Sequence, residues 1–242
     1  MDYSYKKPNY IDYVYKISEE FDCFIFDWDD TLVRSREQCF KAFKDTLSEI
    51  TGGRDNISKE RFREYDKVGY KHKNIYLDYK IDKKGQDMFL SKFMENCVES
   101  LEFTEGSLDI LKHLKKTGKK IAVATNGYIS NIIKIASRYK VLELFDIITG
   151  IDDSLNPKPS PDMLNHIINA LNVNKEKTVM IGDRDVDIIA AHAAGVFSAA
   201  ITSGPIDNKW LIKEKPEIIA YSVKTLFEGD YEVIAYRKTE TV

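Results

Sequence analysis

The stretch FIFDWDDTLVRS, residues 24–35, sets Asp27, Asp29 and Asp30 directly behind an apolar run. Phe24, Ile25 and Phe26 read as the end of a buried strand. Three carboxylates in four positions repel one another and resist leaving water. A turn alone needs one Asp, or Gly and Asn. Acids packed at the mouth of a hydrophobic strand therefore call for a reason beyond local structure.

Outward from this stretch, strand-like apolar runs fall at residues 23–26, 120–125, 145–149, 178–182 and 197–202. From the second onward, helical patterns separate them. Residues 107–118 carry apolar side chains at 108, 110, 111 and 114, with Gly118 at the expected C-terminal cap. Residues 160–173 open on a Ser cap candidate with a Pro in the first turn. Residues 187–195 read as a third helix, ended by Gly195. Continuous apolar strands alternating with helices predict an α/β fold, a three-layer Rossmann-like parallel sheet covered on both faces.

One interval breaks the alternation. Between residues 35 and 104 the periodicity is helical, with apolar positions at 39, 40, 43, 47 and 50, and again from 88 to 101, and no convincing strand. This predicts an inserted α-helical cap domain, hinged to the sheet by two short connections. The expected boundaries are an N-terminal extension at 1–20, a core at 21–34 and 105–230, the cap at 35–104 and a tail at 231–242. The tyrosine-rich extension reads as a docked helix or arm, with a partner-binding arm as the alternative; the tail as a strand, a docked tail or disordered chain.

The totals narrow the function. A length of 242 residues suits a medium domain plus a smaller one. With 43% hydrophobic and 31% charged residues, the chain buries a core without disulfide or metal staples. A net charge of -3 gives no basic field for nucleic acid. Cys23, Cys39 and Cys97 form no C-x-x-C pattern, which fits a reducing compartment and packing roles. The first 20 residues carry several charges and no long apolar core, so no signal peptide is expected. No apolar run is long enough for a membrane span. A cytoplasmic protein is expected, monomeric or dimeric, without nucleic-acid or membrane partners.

Ligands of open parallel sheets bind beyond the carboxyl ends of the strands. The residues that follow these strands are Asp27-Trp28-Asp29-Asp30-Thr31, Thr125-Asn126-Gly127, Asn156-Pro157-Lys158-Pro159 and Gly182-Asp183-Arg184-Asp185-Val186-Asp187. Clustered carboxylates become an asset once a divalent cation sits among them, and an all-oxygen set favours Mg²⁺. An aspartate beside that cation can attack phosphorus. A second acid two residues on can protonate the leaving oxygen and then activate water. A lysine and a hydroxyl can hold the equatorial oxygens, which carry the transition-state charge.

In this order the motifs resemble those of the haloacid dehalogenase superfamily, in the phosphoglycolate-phosphatase-like branch with a helical cap. FDWDDTL is similar to the D-x-D-x-T motif, VATNG to the strand ending in Thr or Ser, KPSPDML to K-P-x-P, and IGDRDVDIIAAHAAG to G-D-x-x-x-D with its helix. The likeness runs from about residue 21 to 227. It implies Mg²⁺-dependent hydrolysis of a small phosphorylated metabolite through an aspartyl-phosphate. Carried across, it implies that Asp27 is the nucleophile and a metal ligand. Asp29 becomes the general acid and base, with its backbone carbonyl on the metal, and Thr31 steadies the loop. Thr125 and the backbone amide of Asn126 bind the phosphoryl group. Lys158 neutralises it and tethers Asp27. Asp183 ligates the metal, and Asp187 holds its waters or orients Lys158.

The chain departs from the family's usual residues at Asp30, Arg34, Pro157 and Arg184. Asp30 is expected to aim away from the metal, and Arg184 to pair with Asp185 or face solvent. Each acid alone has a bland reading as a turn or cap residue; for Asp27, Asp29, Asp183 and Asp187 together with Lys158, that reading fails. Lys158 lies between prolines that stiffen its loop. In the cap, Arg63, Gly69, Tyr70 and Lys71 are candidates for substrate selection, with a solvated charged helix face as the alternative. His113, His166 and His192 fall in helices and are not expected to be ligands. A phosphomutase or a pyrophosphatase could use the same motifs. Dehalogenase and phosphonatase chemistry fit less well, because Asp29 is present. A non-catalytic module that kept the fold is the alternative from outside enzymes.

Overall fold

The computed structural model describes residues 17–66, 74–204 and 207–234. In chain order its elements are α1 (Ile17–Glu20), β1 (Cys23–Phe26), β2 (Val33–Arg34), α2 (Arg36–Thr51), α3 (Lys59–Asp66), α4 (Asn74–Asp78), α5 (Lys83–Ser100) and β3 (Glu102–Phe103). There follow α6 (Ser107–Lys116), β4 (Lys120–Ala124), α7 (Ile129–Arg138), β5 (Ile147–Thr149), α8 (Asp162–Leu171), β6 (Thr178–Gly182) and α9 (Asp185–Ala194). The chain closes with β7 (Phe197–Ile201), α10 (Asn208–Lys213), β8 (Ile218–Ala220), α11 (Val223–Glu228) and β9 (Tyr231–Val233).

The main sheet has the order β5-β4-β1-β6-β7-β8-β9. Every pairing is parallel except the last, β8 with β9. β1 is flanked by β4 and β6, so the acids that follow it emerge well inside the sheet. All four residues of β1 are buried because helices cover both faces. The period of two divides them. Phe24 and Phe26 join Ile121, Val123, Val179 and Ile181 on the face covered by α6, α7 and α11. Cys23 and Ile25 join Ala122, Ala124 and Met180 against α8 and α9. The fold is thus α/β in three layers.

The sequence pattern stopped short at both ends of the chain. β8, three residues long, lies outside the five strands expected from apolar runs. β9 extends the sheet at the start of the tail, the strand among that segment's three expected forms. At the other end, α1 is a single turn whose Ile17 is buried beside Phe21; the rest of the extension lies outside the described residues.

Helices α2 to α5 pack a core of their own around Phe43, Leu47, Ile57, Phe62, Ile75 and Phe89. Ile50, taken from its periodicity as part of this apolar face, is exposed near the end of α2. The interval also holds a strand that was not expected there. β3 pairs antiparallel with β2, Val33 opposite Phe103, and Thr104 donates its backbone N–H to Leu32 O at 2.8 Å. Two residues are too short to register as alternation, yet they tie the entry and exit of the helical segment together.

Candidate active site

Along Phe26-Asp27-Trp28-Asp29 the alternation of the strand persists past its last ladder bond. Trp28 turns into the core against Phe103 and Phe145. Asp27 and Asp29, two apart, line one cavity. The chain then folds back. Leu32 and Val33 donate their N–H groups to Trp28 O at 3.0 and 3.1 Å, and Asp30 stands at φ 58°. That left-handed conformation favours Gly, and Asp tolerates it better than most residues. Asp30 also accepts N–H bonds from Ser35 and Arg36 at 3.2 Å each, capping the start of α2.

Lys158 is the centre of the site and 2% exposed, a depth at which an unpaired ammonium would be prohibitive. Its Nζ donates to Asp27 Oδ1 at 2.7 Å, Asp187 Oδ1 at 2.6 Å and Ala124 O at 2.6 Å, using all three protons. Burial works against its charge, but the carboxylates of Asp187 and Asp27 hold its pKa above the ordinary lysine value. The backbone of Lys158 is fixed as well. Asn126 Nδ2 donates to Lys158 O, and Lys158 N donates to Asn126 Oδ1, both at 2.8 Å. The reading of Asn126 through its backbone amide missed this side-chain latch.

The acids are brought together from β1 and β6. Asp27, Asp183 and Asp187 place one carboxylate oxygen each within 4.8 Å of one another, and all three are buried. Burial pushes the Asp27 carboxyl up to about 7, against the pull of Lys158. Burial also raises Asp183 well above the carboxylate range, with Asp27 and Asp30 adding to the rise. Asp29, half-buried, is pushed up to about 6 by burial, eased by a hydrogen bond from Ser35. Asp183 accepts a long bond from Thr31 Oγ1 (3.4 Å) on Oδ1, while its buried Oδ2 has no hydrogen-bond partner. A buried carboxylate oxygen left bare beside two further carboxylates is what a cation ligand looks like before the cation is considered. One lysine among these acids leaves an excess of negative charge that a metal ion would offset. The donor set fits such an ion.

Two glycines let the backbone close on this cluster. A Cβ at Gly182 would collide with the Asp187 carboxylate, and one at Gly204 with that of Asp183. Gly204 was not singled out from the sequence, although Thr202-Ser203-Gly204 follows a strand end like the other motifs. Thr125 is buried, and its Oγ1 accepts the Gly127 N–H at 3.0 Å. Arg184, half-buried, lines the cavity, and its charge acts on Asp29, Asp30 and Asp183. Arg36, also missed, lines the cavity and pairs with Asp30 at 3.7 Å. Arg63 is exposed on α3 and is not a lining residue. Gly69, Tyr70 and Lys71 lie outside the described residues.

With this arrangement in hand, comparison with known proteins is decisive. A family model described as haloacid dehalogenase-like hydrolase matches residues 24–201. The chain belongs to that family. A phosphoglycolate phosphatase of Colwellia psychrerythraea is 30% identical over 196 residues, covering 77% of this chain and 86% of its own. The pyrophosphatase PpaX of Halalkalibacterium halodurans is 24% identical over 227 residues, covering 86% and 96%. Among solved structures, a haloacid dehalogenase-like family hydrolase from Streptococcus pneumoniae superposes with a TM-score of 0.73 at 20% identity, over 87% of this chain and 98% of that one. Membership makes the chain an enzyme of the hydrolase family. Among the described residues, no helix is long and apolar enough to cross a membrane.

Proposed function

We propose that the protein is a Mg²⁺-dependent phosphatase of small-molecule phosphate monoesters that works through an aspartyl-phosphate on Asp27. The observation that carries this reading is the ammonium of Lys158 held between Asp27 and Asp187, with the bare Asp183 oxygen beside them. Asp27, Asp183 and the backbone carbonyl of Asp29 would hold the cation, with Asp187 behind them; the ion would supply charge neutralisation of the phosphoryl oxygens.

Asp27 attacks phosphorus, forming the bond from its carboxylate oxygen as the bond to the leaving alcohol breaks. Asp29 donates its proton to the departing oxygen; burial raises its carboxyl above the ordinary carboxylate value, which favours the protonated form. Asp29 then takes a proton from water, which attacks phosphorus, breaks its bond to Asp27 and releases inorganic phosphate. Lys158 keeps Asp27 aligned and balances its charge throughout. Thr125 Oγ1 and the Asn126 backbone N–H bind the transferring group. The helical segment from 35 to 104 acts as a cap that excludes bulk water.

The test is release of phosphate from p-nitrophenyl phosphate by wild type and Asp27→Asn, with Mg²⁺ and with chelator. Turnover that needs Mg²⁺ and is lost in the variant is expected. Turnover that survives in Asp27→Asn would exclude this route.

A further inference from the structure

The cavity above Asp27 measures about 620 Å³, within the range for a small organic ligand. Its two ends differ in chemistry. The charged side chains that line it among the described residues follow β1 and β6, sit in the loop after β5, or belong to the first turns of α2 and α9. The cations there are already engaged, Lys158 with Asp27 and Asp187, Arg36 with Asp30, and Arg184 close to Asp29, Asp30 and Asp183. The opposite end is walled by Phe43, Phe62, Tyr65, Tyr76, Phe89 and Phe93 from α2 to α5. Phe89 stacks on Phe93 at 6.0 Å and 10°, and Tyr76 meets Phe89 edge-on at 6.2 Å. Burial pushes the Tyr76 phenol up to about 12, as apolar surroundings require.

A leaving group that extends into this end from a phosphoryl group on Asp27 meets these rings. A carboxylate or a second phosphate there would lose its water against these rings, and Arg61, which lies against Tyr65, is already paired with Asp78. An aromatic ring would exchange water for edge and face contacts. We infer that the enzyme selects phosphate monoesters of uncharged, ring-bearing alcohols over those whose leaving group is an anion. This rests on the phosphatase reading and sharpens it, because the relatives named above act on anionic substrates by name.

The experiment compares kcat/KM for 2-phenylethyl phosphate, 2-phosphoglycolate and inorganic pyrophosphate, with Mg²⁺. In parallel, calorimetry measures binding of the same three compounds to Asp27→Asn, or to the wild type in chelator if the variant does not fold. Burial of one ring predicts a preference of roughly ten- to a hundredfold for the phenylethyl ester in both assays. Turnover that favours phosphoglycolate or pyrophosphate would overturn the inference and leave the phosphatase reading intact. Tighter binding of the phenylethyl ester with no turnover would uphold the ring pocket and remove the hydrolytic reading alone. No turnover and no binding preference would overturn both. Within the pocket, Tyr76→Ala should narrow the preference; an unchanged ratio would contradict the assigned wall.

Discussion

The floor of the cavity holds the charge and the roof holds the rings. The floor is built from residues at the ends of β1, β4 and β6, strands paired on both sides, with Asp187 from the first turn of α9 and Lys158 from the loop after β5 as the hub. The roof is built from side chains of α2 to α5 that double as the core of their own helical segment. The difference teaches a division of labour. Atoms that must sit within tenths of an ångström for bond making are placed on the rigid sheet. Groups that only need to match a leaving group in polarity and size are placed on helices, joined to the sheet by the β2–β3 ribbon. Chemistry and selection can then vary separately.

The largest effect expected from attacking the floor is in Asp27→Asn, which should lower turnover by at least ~10⁴-fold. Its secondary structure and melting temperature should stay close to wild type, which circular dichroism checks. Lys158→Ala should be costly twice. It removes the partner of two buried carboxylates, an uncompensated arrangement worth about 3–5 kcal/mol in stability, and it should also abolish detectable turnover. Denaturant titration separates the two losses.

Asp183→Asn tests the cation site without an activity readout. In wild type, Mg²⁺ should raise the melting temperature, because a ligand of the native state stabilises it by mass action. In Asp183→Asn that rise should vanish, while the metal-free variant melts at or above wild type, since a buried charge has been removed. A full Mg²⁺-dependent rise in the variant would place the cation elsewhere. Asn126→Ala should be milder. Loss of both bonds to the Lys158 backbone, about 1–3 kcal/mol in all, should lower kcat roughly tenfold while leaving the Mg²⁺-dependent rise in melting temperature unchanged.

The smallest effect is on pH dependence. Asp27 and Asp29 have folded-state pKa values of about 7 and about 6, above their unfolded value. A raised carboxyl pKa means the native state holds its proton more tightly. The stability from these groups is therefore complete below about pH 4 and is lost as pH rises through 6 to 7. In chelator the melting temperature should fall between pH 5.5 and 8, and Mg²⁺ should restore part of it. A rise over that interval would contradict the electrostatics of the floor.

The same contrast governs what could be read from the chain alone. Asp27, Asp29, Lys158, Asp183 and Asp187 stand out because charged residues beside buried strands violate the ordinary pattern, and a violation is visible in one dimension. Strands β1, β4, β5, β6 and β7 announce themselves by continuous apolar runs. By contrast, Phe43, Phe62 and Phe89 obey the helical pattern, and nothing in a helical phenylalanine tells core from cavity wall. The two-residue strands β2 and β3 are too short to carry a period and exist through their partners. The Asn126 latch joins residues 32 apart in sequence, and Gly204 acts by what it lacks, a Cβ against Asp183. Such relations are set by tertiary approach, which spacing does not encode. Arg63 shows the limit from the other side: a charge in a helix turn reads equally as substrate contact or solvated face, and it is exposed.

The central claim is that Asp27 carries the phosphoryl group. The most direct measurement quenches the enzyme during steady turnover of p-nitrophenyl phosphate with Mg²⁺ and reduces the protein with borohydride, which converts an acyl phosphate to an alcohol. Peptide mass spectrometry then locates the change. The account predicts reduction of Asp27 to homoserine, dependent on substrate and Mg²⁺, and no other modified aspartate. Reduction at Asp29, Asp183 or Asp187, or rapid turnover with Asp27 unmodified in every quenched sample, would contradict it.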